Sequence, residues 1–416
     1  MGKHGNKILS MILLLLLLPQ LCGCTGGRET DEVALVLAVG FDKGENSPLE
    51  MTVTIANPQS FAAGEGGGGG KAENYITANV EGPSIWECYL LFNTFGTRDI
   101  SFVHTIAYIF SEELAKEGMD KYLHALLRQR EVRRNSQILI CRGTAKEFMK
   151  NNKPQLEASP NKQYQAMERL AGLTELSPSI TLHKFYSTLK SLHSSPVASL
   201  VGTNTGEKKA SKQKSPLLVP YVAGEVPQEG GSANAEFIGT AVFRDDQLVG
   251  ELDGTETRLM LLMNGDFNIS TFTLRDPKKP KDVIALRLRQ AKKPDIKIVS
   301  DKEKLNIHQT IYMEGEFLSI QSGENYEGTK RKKIVEQAFN QQMQQLSQAL
   351  IDKSRDHNWG DIFNYDLVYR KQVSTWEEWE TLNWKEMYDT AEITVEYKTN
   401  IRRPGLMRTT NHIIRG

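Results

Sequence analysis

Val33-Ala34-Leu35-Val36-Leu37-Ala38-Val39-Gly40 is an unbroken apolar run of strand length. Such a run reads as a strand covered on both faces. Phe41-Asp42-Lys43-Gly44 then turns, and Met51-Thr52-Val53-Thr54-Ile55-Ala56 alternates like a half-buried partner. Outward from this pair, strand and helix signals interleave. Tyr75 to Val80 is strand-like. Gly82-Pro83-Ser84 opens a helix with Ile85, Tyr89, Phe92 and Phe95 on one face. Val103 to Phe110 reads as a strand, Ser111-Glu112-Glu113-Leu114-Ala115 starts a helical stretch, and Met119, Leu123, Leu126 and Leu127 mark the next. Ser136 to Cys141 is an apolar strand. The alternation predicts a mixed α/β domain over residues 33–200.

Residues 201–233, rich in Gly, Lys, Ser and Pro, read as a linker or long excursion. Strand signals resume at Glu236 to Phe243 and Leu248-Val249. Asp253-Gly254-Thr255-Glu256 has the spacing of a helix cap with an acid three residues on. Ile269 to Leu274, Val283 to Gln290, Ile296 to Val299 and Leu305 to Met313 follow as strands with no helix between them. Lys332 to Lys353 is the longest helix, with Ile334, Val335, Phe339, Met343, Leu346 and Leu350 inward, and Glu392 to Ile401 is a final strand. The second region, 234–412, is thus sheet-rich with one long helix, and a division near residue 298 is conceivable. The fold class expected for the chain is α+β, multi-domain.

The N-terminus gives an address. Lys3, His4 and Lys7 precede Ile12 and Leu13 to Leu18, and Leu21-Cys22-Gly23-Cys24 closes the segment. A basic stretch, an apolar core and small residues at a cleavage point make a secretory signal. Cysteine directly after Leu-x-Gly makes it a bacterial lipobox. Residues 1–23 would be removed and Cys24 would carry the lipid. Pro19 and Gln20 interrupt the apolar run, which falls short of the ~20 residues of a spanning helix. Residues 24–32 form a polar tether whose eight residues after the cysteine reach about 25–30 Å at most. Each buried methylene contributes ~0.8 kcal/mol, so a diacylglyceryl anchor holds where one chain binds only reversibly.

Composition excludes several functions. Lys and Arg number 51, as do Asp and Glu. That balance carries no nucleic-acid footprint. Of four cysteines, Cys22 leaves with the signal and Cys24 is lipidated. Cys88 and Cys141 remain; export permits a disulfide between them, but two buried free thiols are the expectation. Ala63 to Gly70 is a glycine-rich loop with no Gly-Lys-Ser/Thr after it, hence no phosphate cradle. There is no Gly-x-Ser-x-Gly, His-Glu-x-x-His or Cys-x-x-Cys. His104, read inside an apolar strand, is expected to be structural. No catalytic, cofactor-binding or metal-ligating residue is assigned, and the chain is expected not to be an enzyme.

Two clusters stand out. Arg128, Arg130, Arg133 and Arg134 surround Glu131. They suit lipid phosphates or an acidic partner, or simply a solvated helix end with Glu131 pairing locally. Arg128, Arg130 and Arg133 are the candidate interface. Trp359, Trp376, Trp379 and Trp384 crowd one region, as interface aromatics or as core.

The order of short motifs resembles the Ger(x)C family, the lipoprotein C subunits of bacterial spore germinant receptors. The first half carries Val39-Gly40-Phe41-Asp42-Lys43, Phe102-Val103-His104, Ser111-Glu112-Glu113-Leu114-Ala115 and Leu127-Arg128-Gln129-Arg130-Glu131-Val132-Arg133. The second carries Gly239-Thr240-Ala241-Val242-Phe243, Leu248-Val249-Gly250-Glu251-Leu252 with Glu256-Thr257, then Trp376, Trp384 and Ile401-Arg402-Arg403-Pro404-Gly405. Thr25-Gly26-Gly27 stands where the family often has tryptophan, and Gly66 to Gly70 looks like an insertion. The resemblance implies a peripheral subunit on the inner membrane of the spore, acting with integral-membrane A and B subunits in nutrient-triggered germination, with no reaction of its own. The alternative is a solute-binding lipoprotein of a transporter. That fold has two doubly wound lobes, and the helix-free run of strands from Ile269 to Met313 argues against it.

Overall fold

The computed structural model describes residues 32–57, 74–153, 160–204, 219–228, 235–301 and 304–403, with the isolated positions 5 and 11. Cys24, the tether and the glycine run lie outside the described residues.

The predicted first strand is β1 (Val33–Asp42), the centre of a nine-stranded mixed sheet. It pairs antiparallel with β2 (Leu49–Ala56), which pairs antiparallel with β3 (Tyr75–Gly82). On its other side it runs parallel to β5 (Ala107–Ser111), β5 to β6 (Gln137–Cys141), and β6 to β7 (Val197–Thr203). The short β4 (Asp99–Ser101) lies parallel to the first residues of β1. The sheet does not stop at the segment read as a linker. β8 (Ala235–Arg244) and β9 (Gln247–Leu252) continue it antiparallel from β7, with Val197 opposite Val242. Part of the intervening segment is itself packed: Ala223 is buried, and Glu236 accepts from the Gly224 amide at 2.7 Å.

Helices cover both faces. α1 (Ile85–Phe95), α3 (Asp120–Leu127) and α6 (Leu182–Leu189) supply Cys88, Phe92, Leu123, Leu126 and Phe185 to a core with Val39, Phe41, Tyr108 and Phe110. α2 (Glu112–Glu117) adds Leu114 and Ala115 to it. α4 (Ala145–Asn151) and α5 (Pro160–Thr174) cover the opposite face with Phe148, Met149 and Tyr164 over Ala38, Ile109 and Leu139.

The second half is a four-stranded sheet, β10 (Ile269–Arg275), β11 (Val283–Asp301), β12 (Lys304–Ile320) and β13 (Glu392–Arg403), in that order. The first three form an antiparallel meander and β13 is parallel to β12. α7 (Gly254–Asn264), with the predicted Asp253–Glu256 capping box, leads from the first sheet into this core. α8 (Thr329–Asp356) buries Val335, Phe339, Met343 and Leu350. α9 (Tyr365–Tyr369), α10 (Trp376–Thr381) and α11 (Trp384–Thr390) close the end.

Several expectations shift. Residues 283–301 are one strand rather than two, bulged at Lys292, and Ile298 pairs with Ile307, so the sheet has no break near 298. Ile334 is exposed rather than inward. The run read as a strand from Val103 begins only at Ala107, because Val103 and His104 form a turn; His104 is exposed there and not a core histidine. Neither half is a doubly wound lobe.

Candidate functional site

Most of the motifs have a packing task. A Cβ on Gly40 would lie 2.6 Å from Met149 Sδ, so glycine lets α4 close on β1. Asp42 accepts the Ala145 and Lys146 amides at 2.7 and 2.8 Å, holding the N-terminus of α4; burial raises its pKa above the ordinary value. Ser111 caps α2, and Leu114 and Ala115 are buried. Thr240 meets Thr257 at 2.8 Å in the interior. Glu256 takes Lys353 at 2.7 Å, tying α7 to α8. Trp359, Trp379 and Trp384 are core, and only Trp376 of the four is exposed, with Arg370 stacked between it and Trp379.

Nothing among the described residues builds a reaction centre. No group of His, Cys, Asp and Glu there has the arrangement of a metal site. Cys88 and Cys141 are buried free thiols. Burial pushes Cys88 up to about 11, and Cys141 up as well, which is the reverse of an activated nucleophile. Asp361 and Asp366 sit together in the interior, both raised by burial, and Asp361 also by the neighbouring Asp366. Asp361 accepts from the Phe363 and Asp366 amides and from Trp384 Nε1, while Ser194 donates to Asp366. The pair joins the 193–195 segment to the second core and is closed to solvent. A surface hollow of 370 Å³ is lined by Arg287, Arg289, Arg402 and Arg403, but Glu314 already pairs with Arg289 and Arg402.

The arginine cluster is different. Arg128 ends α3, and residues 128–136 lead into β6. Arg128, Arg130, Arg133 and Arg134 are exposed, and among the described residues none enters an ion pair or donates a side-chain hydrogen bond. The loop beneath them is pinned. Val132 is buried. Glu131 turns inward rather than lying among the arginines: Ser101 Oγ and the Phe102 amide donate to it at 3.1 and 3.4 Å. Ser136 Oγ donates to Thr105 O at 2.7 Å, and the His183 amide to Arg134 O at 2.9 Å. The backbone is therefore fixed while the guanidinium groups stay free to bind.

The loop also lies where the chain enters the fold. Ser101, its anchor, registers with Leu35, and Asp99 with Val33. The Asp99 amide donates to Glu32 O at 2.9 Å. The arginines, the 101–106 loop and the first described residues of the chain thus share the N-terminal end of the parallel strands. The sequence marked the arginines by density; it gave no sign that they neighbour residue 32, because β4 is only three residues long.

Comparison with known proteins adds the family. The overall architecture is shared with the crystal structure of the GerBC protein, at a TM-score of 0.54, covering 88% of this chain and 96% of that one at 15% identity. The model of the spore germination protein N-terminal domain matches residues 26–203, and that of the spore germination B3/GerAC-like C-terminal region matches 238–405. The chain belongs to the Ger(x)C family. Among its relatives, spore germination protein KC of Bacillus subtilis (strain 168) is 26% identical over 96% of this chain and 97% of its own. Spore germination protein YndF of the same organism is 21% identical over 98% and 99%. Spore germination protein B3 is 21% identical over 90% and 92%.

Proposed function

We propose that the chain is the lipid-anchored, non-enzymatic subunit of a spore germinant receptor. In this reading the signal is cleaved before Cys24, a diacylglyceryl group and an acyl chain such as palmitate attach there, and the protein sits on the outer face of the inner spore membrane. Two integral-membrane subunits, A and B, complete the complex that triggers germination in response to nutrients. The observation that carries the reading is Cys24, placed one residue after Gly23 at the end of a basic and apolar leader. The family supports the receptor assignment. Among the described residues no helix is long and apolar enough to cross a membrane.

Metabolic labelling with an alkyne palmitate tests the anchor. Wild type is expected to take up label and sediment with the inner membrane, and C24A to lose both. Pull-down from spore membranes tests the complex: the two integral-membrane subunits should accompany the wild-type chain. Label on C24A, or a wild-type chain isolated without membrane partners, overturns the reading. Calorimetry addresses the transporter alternative, which requires tight saturable binding of an amino acid or sugar by this chain alone.

A further inference from the structure

We infer that the end of the first sheet where the chain enters the fold is a membrane-docking face, on which the arginines of residues 128–134 meet anionic lipid phosphates and the last turn of α1 inserts apolar side chains. This deepens the anchored reading and rests on it.

Four observations converge. The first is direction. α1 leaves Gly82, which pairs with Leu49 at the far end of β2, and the chain returns to Asp99, which pairs with Val33. The helix therefore runs the length of the sheet and ends where β1 begins. α3 also ends there, at Arg128, and the two helices touch. The second is composition. The inner face of α1 is Ile85, Cys88 and Phe92. Leu91 and Phe95, one turn apart on the flank of its C-terminal end, are exposed, the latter by 60%, and Leu90 is exposed on the side away from the core. Single exposed apolar residues are ordinary, but Leu91 and Phe95 lie side by side at the end of the helix and together make a small apolar patch there. Val103, in the neighbouring loop, is exposed as well.

The third is charge. Arg128, Arg130, Arg133 and Arg134 ring this end, with Arg98 half-buried beside it. The acids there are Glu32, Asp99 and Glu131, and Glu131 is turned inward. Apolar side chains rimmed by cations are the composition of a surface that lies in the headgroup layer. The fourth is reach. The first continuous described stretch begins at Glu32 on this same end, and eight residues from Cys24 span at most about 25–30 Å. A lipid on Cys24 would hold this end, and not the Glu45 end, against the bilayer. The favoured occupant is therefore the bilayer surface. An integral-membrane subunit is the other outcome of the test.

The test uses the full lipidated chain in vesicles of phosphatidylcholine with or without phosphatidylglycerol, and no other protein. A bimane label is placed at F95C or, at the opposite end, at E45C; Cys88 and Cys141 are buried and stay unlabelled. Lipids carrying bromine on the acyl chains quench a label only on contact. The expected result is quenching at position 95 and none at 45, greater with phosphatidylglycerol. R128E/R130E/R133E should abolish that lipid-dependent increment, and 1 M salt should do the same because the screening length shrinks to ~3 Å. Far-UV circular dichroism of each variant confirms the fold, and Arg→Gln replacements should give an intermediate loss. Equal quenching at both positions, or none at either, on vesicles that retain the protein overturns the docking face and leaves the anchor standing. Shielding of position 95 only when integral-membrane subunits are present overturns it in favour of a protein contact. A chain that stays in solution overturns the anchor and this face together.

Discussion

Glu131 reaches out of the arginine loop to Ser101, whose hydroxyl donates to its carboxylate at 3.1 Å. One acid thus fastens a loop of cations to the strand that lies beside the start of β1. Removing it should free the loop without unfolding the protein. E131A is expected to cost about 1–2 kcal/mol, since Ser101 and the Phe102 amide lose an ionised acceptor. Trypsin should then cut faster after Arg128, Arg130 and Arg133, because local opening becomes cheaper. Urea titration and timed proteolysis measure the two effects; an unchanged cleavage rate would show that the loop is held by something else.

Glu175 predicts a pH dependence. It follows α5, is buried, and accepts the Asn268 amide at 2.9 Å, joining the first half to β10. Burial raises its pKa from the ordinary 4.5 to about 7. The folded protein therefore holds this proton at a pH where the unfolded chain has released it. Stability from this group is complete below about pH 4.5 and declines as the pH rises to about 7. E175Q keeps an acceptor oxygen and cannot ionise. It should be more stable than wild type at pH 8 and equal to it near pH 4. Thermal melts across that range decide, and parallel curves for the two proteins would refute the assignment.

Gly250 faces the ring of Trp359 across the junction of the two halves. A Cβ there would lie 2.3 Å from Trp359 Cε2. The indole also donates to Val249 O at 3.2 Å. G250A should cost about 1–3 kcal/mol through overpacking. W359A should cost roughly 3–5 kcal/mol by leaving a cavity. The double variant should be less destabilised than the sum, because the alanine methyl then has room. Additive losses in a denaturant cycle would contradict the contact.

Both internal cysteines should be silent. Cys88 and Cys141 are buried, with thiols held protonated. Native protein should not react with Ellman's reagent over the time in which guanidinium-unfolded protein reacts at both. Prompt colour in native buffer would mean that one of them is accessible.

What the sequence revealed follows from how local each signal is. β1, β2, the capping box at Asp253 and the long helix were legible because period and cap chemistry lie within a few residues. The bulge at Lys292 was not: Lys292-Lys293-Pro294-Asp295 looks like a turn, and only pairing with Tyr312 and Thr310 on β12 keeps the strand running. β7 and α5 passed unread because their neighbours are Ser- and Gln-rich, and their burial comes from partners far along the chain. The extent of the sheet was equally hidden, since Val197 meets Val242 across a polar excursion. For the candidate site, the cations were visible as composition. Their position was not, because it depends on a three-residue strand and on the inward turn of Glu131.

The shared sheet constrains how this protein can evolve. The two family matches end at 203 and begin again at 238, a natural place to splice one paralogue to another. Yet β8 and β9 complete the sheet begun by β1. A hybrid gene joined between those positions would have to rebuild the β7–β8 ladder from two different parents, and a gene truncated there would leave β7 as a bare edge inviting aggregation. Variation among relatives should therefore accumulate by substitution within an inherited whole, with recombination confined to crossovers that keep β7, β8 and β9 from a single ancestor.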